Sequence, residues 1–267
     1  TADFSAPTRP PPAPCSPITP HVAVGLATTF DDGGYWVADS SGTHVDACGD
    51  AGHIGYGSLG STPNRPIVGI AATANGEAYY LVGADGGVFA FDRAPFYGSA
   101  ANMTLAKPVV GMAVDAATGG YWLVGADGGV FAFNAPFYGS ASGMKLSQPI
   151  VGMAAAPGGT GYWLVGADGG VFAFGSARFS GSTAHMTLAK PVVGMAVDAA
   201  TGGYWLVGAD GGVFAFNAPF YGSAAHVKLA QPVVGMAGAQ PGNGYRLVAA
   251  DGGVFCFGSS QFYGSGS

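Results

Sequence analysis

The chain is poor in charge. Only 9% of its 267 residues are Asp, Glu, Lys or Arg, against roughly a quarter in ordinary soluble domains. Its nine Lys and Arg form no cluster, so there is no basic face for a phosphate backbone, and nucleic acid is excluded as a partner. No apolar run reaches the roughly 18 residues a membrane span needs, because Gly and Asp interrupt every candidate. Glutamate occurs once, as Glu77, whereas glycoside hydrolysis needs a pair of carboxylates converging on one point. There is no Gly-x-Ser-x-Gly elbow, no His-Glu-x-x-His pair and no phosphate loop, so no cofactor is implied. The three cysteines, Cys15, Cys48 and Cys256, allow one disulfide and a leftover thiol.

Glycine is abundant, at 48 residues, alongside a 49% hydrophobic fraction rich in aromatics. Such a mixture suits short strands and tight turns, since each glycine inside a helix costs about 1 kcal/mol relative to alanine. Residues 1–20 hold seven prolines and read as an extended linker, which implies tethering to another domain or protein. Residues 21–267 are repetitive. Asp-Gly-Gly recurs at Asp85, Asp127, Asp168, Asp210 and Asp251, 41 or 42 residues apart. A degenerate copy around Tyr35-Trp36-Val37-Ala38, with Ser41-Gly42-Thr43 as its turn, precedes them and makes six units. Met103–Ala141 is identical to Met186–Ala224, the trace of a duplicated two-unit block.

Each unit predicts four strands. In the third they are Val109–Val114, Tyr121–Ala126, Val130–Phe133 and a short one through Phe137-Tyr138-Gly139, with Asp-Gly supplying the positive φ of the hairpin. The second strand is apolar on both faces and must be covered on both. Sheets sandwiched between their own neighbours around a closed ring meet that demand. The fold expected is therefore an all-β, six-bladed β-propeller of about 41-residue, four-stranded blades; two tandem β-trefoils are the alternative. A glycine in every first strand, such as Gly25, Gly111 and Gly194, marks that strand as innermost, where a side chain is expected to clash.

The run Gly120-Tyr-Trp-Leu-Val-Gly-Ala-Asp-Gly-Gly-Val-Phe-Ala-Phe133 resembles a repeat of secreted actinobacterial proteins, where it often stands beside hydrolase or cell-wall-related domains. The resemblance spans residues 22–267 and implies a propeller-like fold and an extracellular or cell-surface location. It carries no catalytic residues to transfer. The first unit departs most, with Asp46 and Cys48 where aromatics are expected.

Several residues invite a functional reading beside a plainer one. The Asp-Gly-Gly carboxylates could ring a metal, but hairpin chemistry explains them better. Trp36, Trp122, Trp163 and Trp205 could stack on sugars, but a mid-strand place between blades favours core packing. His44, Asp46 and Cys48 share one strand parity and form the weak metal candidate, with a spacing that matches no standard ligand set. Lys107 and Lys190, just before a Pro, and Lys145 and Lys228, three positions earlier in their units, recur in alternating forms and could meet a multivalent anion; solvated lysine is the simpler account. Cys48 and Cys256 sit at positions of opposite parity, on the blade faces that meet where unit six adjoins unit one, so a Cys48–Cys256 disulfide is expected. Facing sheets about 10 Å apart count against it, because a disulfide needs Cα atoms within about 7 Å. Cys15 bonded to either one is the competitor.

These features lean away from an enzyme and towards a binding or display module. Near-identical blades suit multivalent recognition of polysaccharide or cell-wall glycan. A glycan hydrolase or lyase with its site in the first two blades is the alternative, and a structural spacer in a surface assembly is a third. Convergence of Asp31, Asp32, His44, Asp46, Glu77 and Arg93 in one cleft would favour the enzyme; dispersal would favour binding or structure.

Overall fold

Asp127 shows why each repeat doubles back where it does. Its carboxylate accepts a 3.0 Å hydrogen bond from the Gly129 amide, and Gly128 takes φ +80°, so the chain reverses between two strands without strain. A computed structural model describes residue 15 and residues 22–54, 57–240 and 242–265. The Pro-rich tail expected over residues 1–20 lies outside these, Cys15 excepted. Every repeat forms a three-stranded antiparallel sheet, giving six sheets in all. Sheet I comprises Ala23–Thr28, Gly34–Asp39 and Val45–Gly49. Sheet II takes Ile67–Ala72, Tyr79–Gly83 and Val88–Phe91, and sheet III Val109–Val114, Tyr121–Gly125 and Val130–Phe133. Sheet IV takes Ile150–Ala155, Gly161–Gly166 and Val171–Gly175. Sheet V takes Val192–Val197, Tyr204–Gly208 and Val213–Phe216, and sheet VI Val233–Gly238, Gly244–Ala249 and Val254–Gly258.

The middle strands are buried throughout. In sheet III, Tyr121 and Leu123 pack towards sheet II, while Trp122 and Val124 pack towards sheet IV. The core is thus divided into six clusters, one between each pair of successive sheets. Burying a large apolar side chain is worth about 1.5–3 kcal/mol, and a strand apolar on both faces collects that gain twice.

The sheets close into a propeller-like ring. Each inner strand packs against the inner strands of both neighbours, sheet I against sheets II and VI. The Ile150 amide donates to the Ala126 carbonyl at 3.0 Å, linking sheet IV to the hairpin of sheet III. Ala23 donates to Ala250 in the same manner at 2.9 Å, so the first and last sheets are joined like any other pair. One ring passing through all six inner strands leaves no place for two separate trefoils.

Two expectations are corrected. A methyl added at Gly111 would meet the Gly152 Cα at 3.6 Å, which is ordinary contact, so an alanine fits where a clash was expected. The six inner strands instead leave a narrow axial channel of about 140 Å³, which larger side chains would fill. The fourth strand is also absent: residues 137–139 are irregular, and Gly139 has φ +130°. The Tyr162 hydroxyl of sheet IV accepts from the Tyr138 amide at 3.2 Å and donates to the Gly139 carbonyl, taking the bonds a fourth strand would have made. Tyr121, Tyr204 and Tyr245 repeat this bridge at their own interfaces, and Tyr35 and Tyr79 serve the equivalent segments beside sheets I and II. Burial raises the phenols, Tyr35 and Tyr79 to about 12, so they stay protonated and keep donating.

Candidate functional site

The repeated residues separate into structural ones and exposed ones. All five Asp-Gly-Gly carboxylates close their own turns through the amide two residues on, at 3.0 to 3.1 Å. The four tryptophans are buried, each ring 5.1 to 5.5 Å from a tyrosine of the next sheet. They hold the ring together and are out of reach of any ligand. Lys107, Lys145, Lys190 and Lys228 are exposed on the connections leading into the inner strands.

Phe96, Phe137, Phe179, Phe220 and Phe262 form an exposed set that sequence reasoning missed. Each is 58 to 60% exposed, so the five occupy equivalent environments. They open the tyrosine-bridged segments at the outer edge of successive sheet interfaces; Gly139, two residues past Phe137, lies against the Phe174 ring of the next sheet. The corresponding position of the first unit, Gly55, lies outside the described residues. A sequence signal existed: the Pro-Phe-Tyr-Gly motif puts two aromatics side by side, and in an extended segment only one of a pair can face inward.

The unrepeated polar residues do not converge. Glu77 and Arg93 line a cleft of about 710 Å³ between sheets II and III. Asp32 is elsewhere, ion-paired with Arg246 where sheet VI meets sheet I. Asp31 accepts from Thr29 and from the Gly33 amide within its own hairpin. His44 and Asp46 lie at the opposite end of sheet I, beside Asp39; the His44 ring is 3.7 Å from the Asp39 carboxylate. Asp46 stands where the other sheets carry a Phe, directly across from Val37. Burial lifts its carboxyl to about 6, with His44 pulling it down and Asp39 pushing it up, and its Oδ2 has no hydrogen-bond partner.

The cysteines pair differently from the first expectation. Cys15 is bonded to Cys48, their Cα atoms 4.5 Å apart, and Cys256 is a free thiol. Cys48 and Cys256 do belong to one cluster, on the outer strands of two facing sheets, but Cys15 packs into that same cluster and takes the bond. The disulfide also removes Cys48 from the metal candidate with His44 and Asp46. Among the described residues no group of three or more His, Cys, Asp or Glu is placed to hold a metal ion.

No family model and no curated protein matches the chain. A solved structure, a structural genomics protein of unknown function from Bacteroides thetaiotaomicron VPI-5482, is similar over 93% of this chain and 75% of its own, with a TM-score of 0.60 and 11% identity. At that identity the likeness concerns the fold alone. Among the described residues no helix is long and apolar enough to cross a membrane.

Proposed function

We propose that the chain is a six-bladed β-propeller that works outside the cell as a non-catalytic module, binding polysaccharide or cell-surface glycan at several equivalent points. The observation that carries this reading is the rim of five equally exposed phenylalanines. Large apolar groups kept in water serve no core, and it is their recurrence at five places around the ring that supports repeated contact with a polymer. A sugar ring offers a face of C–H groups to an aromatic, and a polymer offers the same face repeatedly. Each contact is weak; several engaged together gain avidity without any new type of contact. The scarcity of charge suits a neutral polymer. The dispersal of Asp32, Asp46 and Glu77 over three regions speaks against one catalytic centre built from the divergent units. The Cys15–Cys48 disulfide supports an oxidising, extracellular setting, as does the resemblance to secreted actinobacterial repeats.

The test is co-sedimentation with insoluble polysaccharides together with a glycan array, comparing the native chain with a variant carrying Ser at all five Phe positions. Retention on at least one glycan, weakened about 100-fold or more in the variant, is expected. Absence of binding throughout overturns the reading. Release of new reducing ends overturns its non-catalytic half.

A further inference from the structure

Unit II breaks the copying, and it breaks it around one cleft. Aligned on the strand pairing, Thr73 replaces Asp115, Asn75 replaces Ala117, Glu77 replaces Gly119 and Tyr80 replaces Trp122. Asp92 follows the outer strand where Asn134 does, and Arg93 takes the place that Ser176 and Ser259 hold in the equally long links of the fourth and sixth units. All six line the 710 Å³ cleft between sheets II and III. The third and fifth units, by contrast, share 39 consecutive residues.

The substitutions act together. Tyr80 is smaller than the tryptophan it replaces; its ring packs on Tyr121 at 4.9 Å, and its hydroxyl donates to the Pro95 carbonyl at 2.9 Å. Thr73 donates to Asn75 Oδ1 at 2.7 Å, as Thr29 does to Asp31 in the hairpin of the first unit, and Asn75 donates to Glu77 Oε2 at 2.9 Å. Asp92 leaves Oδ2 buried without a partner. Asp92 and Arg93 both hold φ in the left-handed region, at +52° and +65°. Asn134 and Asn217 tolerate that conformation at +50°, which is strained for an arginine.

We infer that this cleft is a single-copy binding site for a neutral, polyhydroxylated ligand the size of one or two sugar residues. The reason is the charge arrangement. Carboxylates only accept hydrogen bonds and a guanidinium only donates them. Glu77 and Asp92 repel an anion, and Arg93 sets donors beside their acceptors. A hydroxyl both donates and accepts, so vicinal hydroxyls satisfy both kinds of wall, while Tyr80, fully buried like the tryptophans it replaces, acts only through its smaller size. The volume falls within the range of small-molecule sites, about 300–1,000 Å³. This inference rests on the glycan reading and adds to it one specific pocket beside the repeated rim.

The experiment titrates soluble mono- to tetrasaccharides of glucose, galactose, mannose and N-acetylglucosamine, followed by NMR shift changes and calorimetry. The full chain is compared with Tyr80→Trp, Glu77→Gln, Arg93→Ala and the five-Ser rim variant. Tyr80→Trp restores the residue that four other units carry, and a thermal melt verifies that it is folded. The expected result is binding that shifts signals of the cleft, weakens at least about tenfold in Tyr80→Trp and Glu77→Gln, and survives in the rim variant. Saccharide binding indifferent to Tyr80→Trp and Arg93→Ala overturns the site. Polymer binding through the rim with no saccharide in the cleft overturns the cleft and leaves the glycan reading standing; silence in both assays overturns both.

Discussion

Arg246 and Asp32 lie 214 residues apart and form a bidentate ion pair at the interface between the last sheet and the first. Arg246 occupies the position where most sheets carry a tryptophan facing the next tyrosine, and it is fully buried. Its guanidinium sits 5.1 Å from the Tyr35 ring centroid, and its Nε donates to the Gln261 carbonyl at 3.2 Å, the bond that Trp122 makes to Pro136. A charged anchor thus imitates the aromatic one at the seam, and Asp32 neutralises it. The sequence shows only an odd arginine in a tryptophan column; the partner becomes visible once the ring closes.

Removing Arg246 strands the Asp32 carboxylate, which is 11% exposed. Arg246→Ala is expected to cost about 3–5 kcal/mol in urea denaturation. Arg246→Trp combined with Asp32→Ala is expected to recover more than half of that, because a well-packed apolar replacement of a buried pair is often neutral. A double variant as unstable as Arg246→Ala would mean that the seam needs the charge itself.

Cys15 is tied to Cys48 across 33 residues of chain, a loop length for which a disulfide stabilises by about 3–4 kcal/mol in the chain-entropy model. Reduction, or Cys15→Ser, is expected to lower the unfolding free energy by about that amount, whereas Cys256→Ser should change it by less than about 1 kcal/mol. Peptide mapping without reductant should recover the Cys15–Cys48 pair. Recovery of Cys48–Cys256 would sink the assignment.

Asp46 makes a pH-dependent contribution of unusual sign. Its carboxyl is raised to about 6 in the fold, from 3.8. Between these values the folded state binds more protons than the unfolded one, so stability falls as pH rises through this window. The cost is complete above about pH 6 and is relieved below about pH 4. Asp46→Asn should therefore be the more stable chain at pH 7.5, by roughly 1–3 kcal/mol, and the advantage should shrink to near zero at pH 4. Parallel stability curves for the two chains across that range would falsify this.

Much of the ring was legible because its cause is local and repeated. A middle strand apolar on both faces, Tyr121 to Val124, dictates cover on both sides, and Asp127-Gly128 dictates the hairpin. What was illegible depended on contacts between units. Phe137-Tyr138-Gly139 reads as a strand by composition; a hydroxyl from Tyr162, 24 residues past Tyr138, takes its backbone bonds instead. Parity placed Cys48 and Cys256 on facing surfaces but said nothing of Cys15 entering between them. Glu77 and Arg93 looked like scattered oddities until the fold set them on one cleft with Tyr80.

The tyrosine bridge yields the sharpest structural test and bears on the rim. Tyr162→Phe leaves the Tyr138 amide and the Gly139 carbonyl without the partner that now serves both. The expected cost is about 1–3 kcal/mol, the range for buried backbone groups left unsatisfied. The loss should be local, since each bridge serves one interface and distant sites add independently. Hydrogen exchange at the Tyr138 amide should accelerate, while the Tyr97 and Tyr221 amides, held by Tyr121 and Tyr245, keep their protection. Phe137 sits on the loosened segment, so glycan retention should fall by no more than the loss of one rim contact among five. If residues 137–139 were instead a true fourth strand, ladder bonds would hold the Tyr138 amide and its protection would survive the loss of the hydroxyl.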